Sequence, residues 1–310
     1  MSLEKAKKWR MDQLQRALFF HRKFHEYGMI ELAEELDQLK GERYEWALEA
    51  LGISEIAWNI AIHRGIKPVL VFCHPDVIME NPRRIAYYRM LAILSQKSMQ
   101  NIGLPTQKHE FESEQLDREK ARSLAITFNK IISAIVEDDP EITVRELDML
   151  RAMSAGTQAD GSWRNRKGDE AEEAIKALIK ARIREKGLLY CTGSEGRELI
   201  LKDGRVFVFG KEPDVGVYHG KKLIIAIEIK GGIDPAGVHE RYGAALKSLE
   251  KAKKNNRECK TILIMARVSL TSSVEREINE SPYIDQFFDL EGVMEHGSET
   301  QQEFFRSLNL

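Results

Sequence analysis

The sequence predicts an α/β (α+β) protein in which a central mixed β-sheet flanked by helices follows a mainly helical N-terminal region. Three observations carry this. Residues 214–230 hold two β-forming runs separated by His219-Gly220-Lys221, the pattern of a hairpin. Leu223-Ile224-Ile225-Ala226-Ile227 is apolar at every position, as expected of a strand covered on both faces. Segments of helical period lie on either side, at 169–183 and 236–249, and another apolar run follows at 261–265.

Taken in order, residues 1–140 read as mainly helical. Leu14, Leu18, Phe19, Tyr27, Ile30 and Leu32 fall at helical spacing, and 42–51, 83–100 and 127–136 read the same way. The run from Pro68 to Asp76 is a strand or a core linker. Asp138-Asp139-Pro140-Glu141, a proline in an acidic patch, is the expected boundary between a 1–140 region and a 141–310 domain.

Ser162-Trp163-Arg164-Asn165-Arg166-Lys167-Gly168 is basic and turn-prone. A helix is expected from Asp169 as cap, with Glu170, Glu172 and Glu173 in its first turn. Ile175, Ile179 and Ile183 form its apolar stripe, which Glu172 extends. Glu173 aligns with Lys176, Ala177 and Lys180 on the wet face. Strands are expected at 198–202 and 205–209 around the turn Asp203-Gly204. The hairpin from Asp214 to Lys230 comes next, and Gly231-Gly232 and Pro235 lead into the 236–249 helix. A strand (261–265), a helix (272–279), a strand (286–288) and an amphipathic end (301–308) complete the order.

Composition bounds the function. At 310 residues there is material for one large or two modest domains. Charged residues make up 31% but the net charge is −2, so any nucleic-acid surface must be a local cluster. Cys73, Cys191 and Cys259 show no paired spacing, which fits a reducing cytosol and no zinc site. No apolar run approaches the roughly 20 residues of a membrane span, and no signal core opens the chain. A cytoplasmic protein is expected.

Asp214 opens one strand of the hairpin, and Glu228 and Lys230 end the other on one face. Carboxylates on a buried strand carry a desolvation cost, which a hard cation between Asp214 and Glu228 would offset, with Lys230 beside the reacting group. The plain alternative is a solvated ion pair at a strand end. Glu172, on the core side of its helix, would orient the metal's water or a second ion; the alternative there is a solvated first turn. Pro75-Asp76 repeats the Pro-Asp pair without a following Glu-x-Lys, so Asp76 reads as a turn or cap residue and His74 as structural.

Pro213-Asp214 followed by Glu228-Ile229-Lys230, in an α-β-β-β-α-β order, resembles the PD-(D/E)xK nuclease superfamily, whose metal-dependent phosphodiester hydrolysis it implies. His239-Glu240-Arg241 opens the next helix. Glutamate accepts from cytosine N4 and arginine bonds guanine O6 and N7, a pair suited to C·G readout in a major groove. Ser162, Arg164, Asn165, Arg166 and Lys167 suit phosphate clamping or base contact. A charged helix start and a charged structural turn are the respective alternatives.

Longer stretches are more specific: Ala57-Trp58-Asn59, Pro68 to Asp76, Ile85 to Leu91, Ser95 to Ser98, Gly161 to Gly168, Asp203 to Val206, Glu212 to Asp214, Ile227 to Asp234 and Val238 to Leu249. Together they resemble the XcyI/XmaI family of type II restriction endonucleases from about residue 50 onward. The resemblance implies a restriction-endonuclease-like core, Mg²⁺ held by Asp214 and Glu228, catalysis with Lys230, and a homodimer cutting double-stranded DNA at CCCGGG after the first C. It also implies a prokaryotic source and a cognate DNA methyltransferase as a functional, not physical, partner. Relatives that read CCGG often carry another Arg shortly before the Glu-Arg pair; here none lies between Ile233 and His239. His239 or the 162–167 stretch would have to supply that contact. A structure-selective repair or junction-resolving nuclease, or an inactive DNA-binding module, is the alternative.

Overall fold

The computed structural model describes residues 3–310 apart from 194 and 195, with side chains from residue 10 onward except Ala236. The chain forms two compact units, 1–163 and 164–310. The division expected at 138–141 lies in the turn between two long helices, whereas the units part within the second of them.

The first unit is helical. It contains α1 (Leu3–Glu26), α2 (Glu31–Gln38), α3 (Glu55–His63), α4 (Pro68–Val71), α5 (Pro75–Glu80), α6 (Ile85–Leu91), α7 (Gln96–Asn101), α8 (Gln107–Phe111), α9 (Arg118–Asp138) and the start of α10 (Val144–Glu185). Leu124, Phe128, Ile132 and Val136 of α9 pack among Leu70, Phe72, Val77 and Tyr88 in one core. The Pro68 run is the short helix α4 and a buried linker. The helix expected over 42–51 is instead two single 3₁₀ turns. There the Trp46 indole donates to the Gly41 carbonyl and turns the chain back on itself. The helix expected over 83–100 is broken at Ile93, whose φ is +54°, and restarts at Ser95, which caps α7. Leu14 and Leu18 of the expected α1 stripe are exposed, and Phe19 carries the burial.

The basic stretch 162–168 is helix, not turn: α10 runs unbroken for 42 residues, so Asp169 is not a cap. The Ser162 hydroxyl bonds back to the Gln158 carbonyl. Arg166 pairs with Glu170 one turn on, and Trp163 is buried 5.3 Å from the Phe19 ring. Side chains that favour turns when isolated are here satisfied within a helix.

The second unit is built on a seven-stranded sheet in sequential order: β1 (Leu189–Thr192), β2 (Glu198–Leu201), β3 (Arg205–Phe209), β4 (Val215–His219), β5 (Lys222–Lys230), β6 (Lys260–Met265) and β7 (Gln286–Asp289). β1 to β5 are antiparallel; β5, β6 and β7 run parallel. The parallel joins need crossovers, supplied by α11 (Val238–Asn255) and α12 (Ser272–Glu280). Two further helices, α13 (Leu290–Met294) and α14 (Glu299–Ser307), end the chain. Gly220, at φ +61°, supplies the left-handed residue that the tight β4–β5 turn requires.

Alternation along β5 divides the core in two. Ile225, Ile227 and Ile229 pack with Ile175, Ile179 and Ile183 of α10 and with Ile262, Ile264 and Phe304. Ala226, together with Leu263 and Met265, meets Val238, Tyr242, Ala245 and Leu249 of α11. Glu228 and Lys230 share the parity of Ala226 and so belong to the α11 face. α10 covers the opposite face.

Candidate active site

Asp214, Glu228 and Lys230 converge. Asp214 immediately precedes β4, whose Val215 pairs with Ile227, so it stands beside Glu228 across the ladder. Both carboxylates are buried. The Ile229 backbone N–H donates to Asp214 Oδ2 at 2.7 Å, fixing that carboxylate against β5. Lys230 Nζ donates to Glu228 Oε2 at 2.7 Å and to Asp214 Oδ2 at 3.3 Å. Glu228 Oε1 is buried and makes no hydrogen bond of good geometry, although the Ser248 hydroxyl is near enough to the carboxylate to lower its pKa slightly.

Two carboxylates face one ammonium, so the charges do not balance. Burial, and then the neighbouring Asp214 charge, push the Glu228 carboxyl up to about 7 against the opposing pull of Lys230. Lys230 behaves conversely. Burial pulls it down, but the charges of Glu228 and Asp214 and its hydrogen bonds to them hold it above the ordinary lysine value. The ammonium therefore stays charged, and Glu228 is the group whose ionisation the site tunes. A buried carboxylate oxygen without a partner, beside a second fixed carboxylate, is a donor set that suits a hard, oxygen-ligated cation. Among the described residues, no group of three or more His, Cys, Asp or Glu side chains gathers around such a position.

Glu172 stands apart from these three. It is half-exposed on α10 and pairs with Lys176. Lys176, expected on the wet face with Glu173, is buried; its Nζ also donates to the Gly210 carbonyl at 3.1 Å. Sequence reasoning missed Lys176. The available signal was its i,i+4 spacing from Glu172, which also fits any exposed helix pair.

His239 and Glu240 are exposed on the first turn of α11, and His239 lies 3.9 Å from Glu277. Arg241 folds back, donating to the Asp234 carbonyl. Its Nε is buried without a partner. A Cβ at Gly232 would come within 2.8 Å of that Nε, so a larger residue there would push the guanidinium aside. Burial lowers the Arg241 pKa; Asp234 opposes this and the Arg164 charge adds to it. Arg164, Asn165 and Arg166 are exposed on α10, while Ser162 and Lys167 are half-buried.

The second Pro-Asp pair is a helix start. His74 caps α5, its Nδ1 accepting from the Asp76 N–H, so Nε2 donates to the Glu45 carbonyl. Asp76 pairs with Arg118 at 3.0 Å.

A mixed sheet with two buried carboxylates and a lysine at the end of one hairpin defines the class to which comparison with known proteins also leads. The model of the XcyI restriction endonuclease family matches residues 48–309. The type II restriction enzyme Cfr9I of Citrobacter freundii is 25% identical over 264 residues, covering 78% of this chain and 77% of its own. The type II restriction enzyme XcyI of Xanthomonas campestris pv. cyanopsidis is also 25% identical over 264 residues, covering 78% and 76%. The chain belongs to the XcyI restriction endonuclease family. No helix among the described residues is long and apolar enough to cross a membrane.

Proposed function

We propose that the protein is a Mg²⁺-dependent type II restriction endonuclease that cuts double-stranded DNA at a C/G-rich palindrome, CCCGGG after its first C, as a homodimer. The observation that carries the reading is the unpartnered Glu228 Oε1 buried beside Asp214 and Lys230. Asp214 and Glu228 would hold the ion. When bound, Mg²⁺ supplies Lewis-acid polarisation of a phosphate oxygen and a water of lowered pKa. Asp214 is aimed by the Ile229 N–H, so little reorganisation is needed there. Glu228 must lose its proton to act as a ligand. Lys230 positions the attacking water and balances the charge that develops on the phosphate. Glu172 has a supporting part from α10.

Glu240 and Arg241, adjacent on the first turn of α11, are assigned to cytosine N4 and guanine O6/N7. For Arg241 this requires release from Asp234. Arg164, Arg166 and Lys167, with Ser162 and Asn165, are assigned to phosphates, and His239 to a flanking contact. A twofold homodimer places one site on each strand of a palindrome.

Plasmid DNA digested with Mg²⁺ and sequenced at its ends tests this reading. The expected ends all derive from CCCGGG with a common stagger. Ends without a shared sequence, or cutting confined to branched or damaged DNA, would replace it with a structure-selective nuclease.

A further inference from the structure

Lys176 is a buried ammonium in neither of the motifs that mark the site. Its Nζ bonds the Glu172 carboxylate and, at 3.1 Å, the carbonyl of Gly210. Gly210 begins the turn that ends at Asp214, and its own N–H donates to the Asp214 carbonyl at 3.2 Å. The turn is therefore closed on itself at one point and tied to α10 at another. α10 is also tied to the far end of the site. Gly231 directly follows Lys230, and a Cβ there would overlap the Ala171 side chain and reach the Lys167 carbonyl at 3.3 Å. One helix, in little more than a turn from Ala171 to Lys176, thus touches both segments that carry the site: the 210–214 turn and the end of β5.

We infer that Lys176 is a positioning residue: from the opposite face of the sheet it holds the 210–214 turn so that the Asp214 carboxylate stays aligned with Glu228 for a divalent cation, with Glu172 keeping its ammonium in place. The inference rests on the reading of Asp214 and Glu228 as metal ligands. Burying a lysine is costly unless both charge and donors are satisfied. Here the carboxylate supplies the countercharge and the turn supplies the second acceptor. The device acts on a ligand's backbone, so its loss should weaken metal binding more than it alters chemistry at saturating metal.

The test uses the full chain and Ca²⁺ as the probe ion, with calorimetric titration of the parent, Lys176→Met, Lys176→Gln and Asp214→Asn, each first checked for a native circular-dichroism spectrum. Lys176→Met should weaken Ca²⁺ binding roughly ten- to a hundredfold, as for outer groups that orient metal ligands. It should raise the Mg²⁺ concentration for half-maximal cleavage in proportion, with the rate at saturating Mg²⁺ near the parent's. Lys176→Gln, which keeps a donor for Gly210, should lie between the two. A folded Lys176→Met with parental Ca²⁺ affinity overturns the inference. If that variant does not fold, parental affinity in Lys176→Gln overturns it equally. Failure of the metal-site reading would look different: Asp214→Asn would bind Ca²⁺ as the parent does.

Discussion

Glu228 and Lys230, two residues apart on β5, meet at 2.7 Å between Oε2 and Nζ, and this contact satisfies only one of the two glutamate oxygens. The other is buried and unpaired. A structural ion pair under selection for stability alone has no need of an orphaned oxygen, whose burial costs about 1–3 kcal/mol or more. On the proposed reading, a cation would complete the arrangement.

That incompleteness has a consequence for stability. The Glu228 carboxyl rises to about 7 on folding from an ordinary 4.5. Its neutral form is therefore favoured in the folded state. The stability linked to it is fully present below pH 4.5 and is lost as the pH rises through about 7. Glu228→Gln, which stays neutral, should be more stable than the parent at pH 8 in the presence of EDTA, by on the order of 1–3 kcal/mol. The advantage should shrink towards pH 5. Urea unfolding at both pH values measures it; an advantage that grows on acidification would refute the assignment. In the same range, metal affinity should rise with pH as Glu228 ionises.

Glu172 and Glu173 test the part played by α10. Glu172 holds the buried Lys176, whereas Glu173 is exposed and 3.5 Å from the same ammonium. At limiting Mg²⁺, Glu172→Ala should slow cleavage by on the order of 10- to 100-fold, well beyond Glu173→Ala, as for loss of an outer group that orients a metal ligand. Raised Mg²⁺ should partly restore it. Equal and mild losses in single-turnover rates would make Glu172 a surface residue.

Arg241 and Arg166 should fail in different ways. Arg241→Ala should weaken binding to the cognate duplex about ten- to a hundredfold while leaving nonspecific binding nearly unchanged. Arg166→Ala should weaken both and flatten the salt dependence. Binding isotherms on cognate and scrambled duplexes at several salt concentrations separate the two. An equal loss on both duplexes for Arg241→Ala would assign it to the backbone.

The sheet half was the more legible. Ile225 to Ile227 and the Ile175–Ile179–Ile183 stripe are buried as their apolar patterns predict, and Gly220 sits at the hairpin turn with positive φ. The helical half was less so. Leu14 and Leu18 have helical spacing but lie exposed, and the 42–51 segment is held in turns by local hydrogen bonds, Trp46–Gly41 among them, that no periodicity encodes. Residues 162–168 misled because Ser162, Asn165 and the flanking glycines carry turn propensity, whereas the buried Trp163 and the Arg166–Glu170 pair hold them in helix. The contacts among Asp214, Glu228 and Lys230 follow from strand parity. Those of Lys176 and Arg241 do not, since each is set by a loop carbonyl, Gly210 or Asp234, brought close only by the finished fold.

If Asp214, Glu228 and Lys230 form a metal-dependent nuclease site, single substitutions read out in plasmid cleavage with Mg²⁺ will show it. Asp214→Ala, Glu228→Ala and Lys230→Ala should each abolish cutting without loss of the folded state, and Lys230→Ala should still bind the cognate duplex. Asp76→Ala, at the helix start paired with Arg118, should cut nearly as the parent does. Substantial sequence-specific cleavage by purified Asp214→Ala would rule out Asp214 as a metal ligand of the nuclease site.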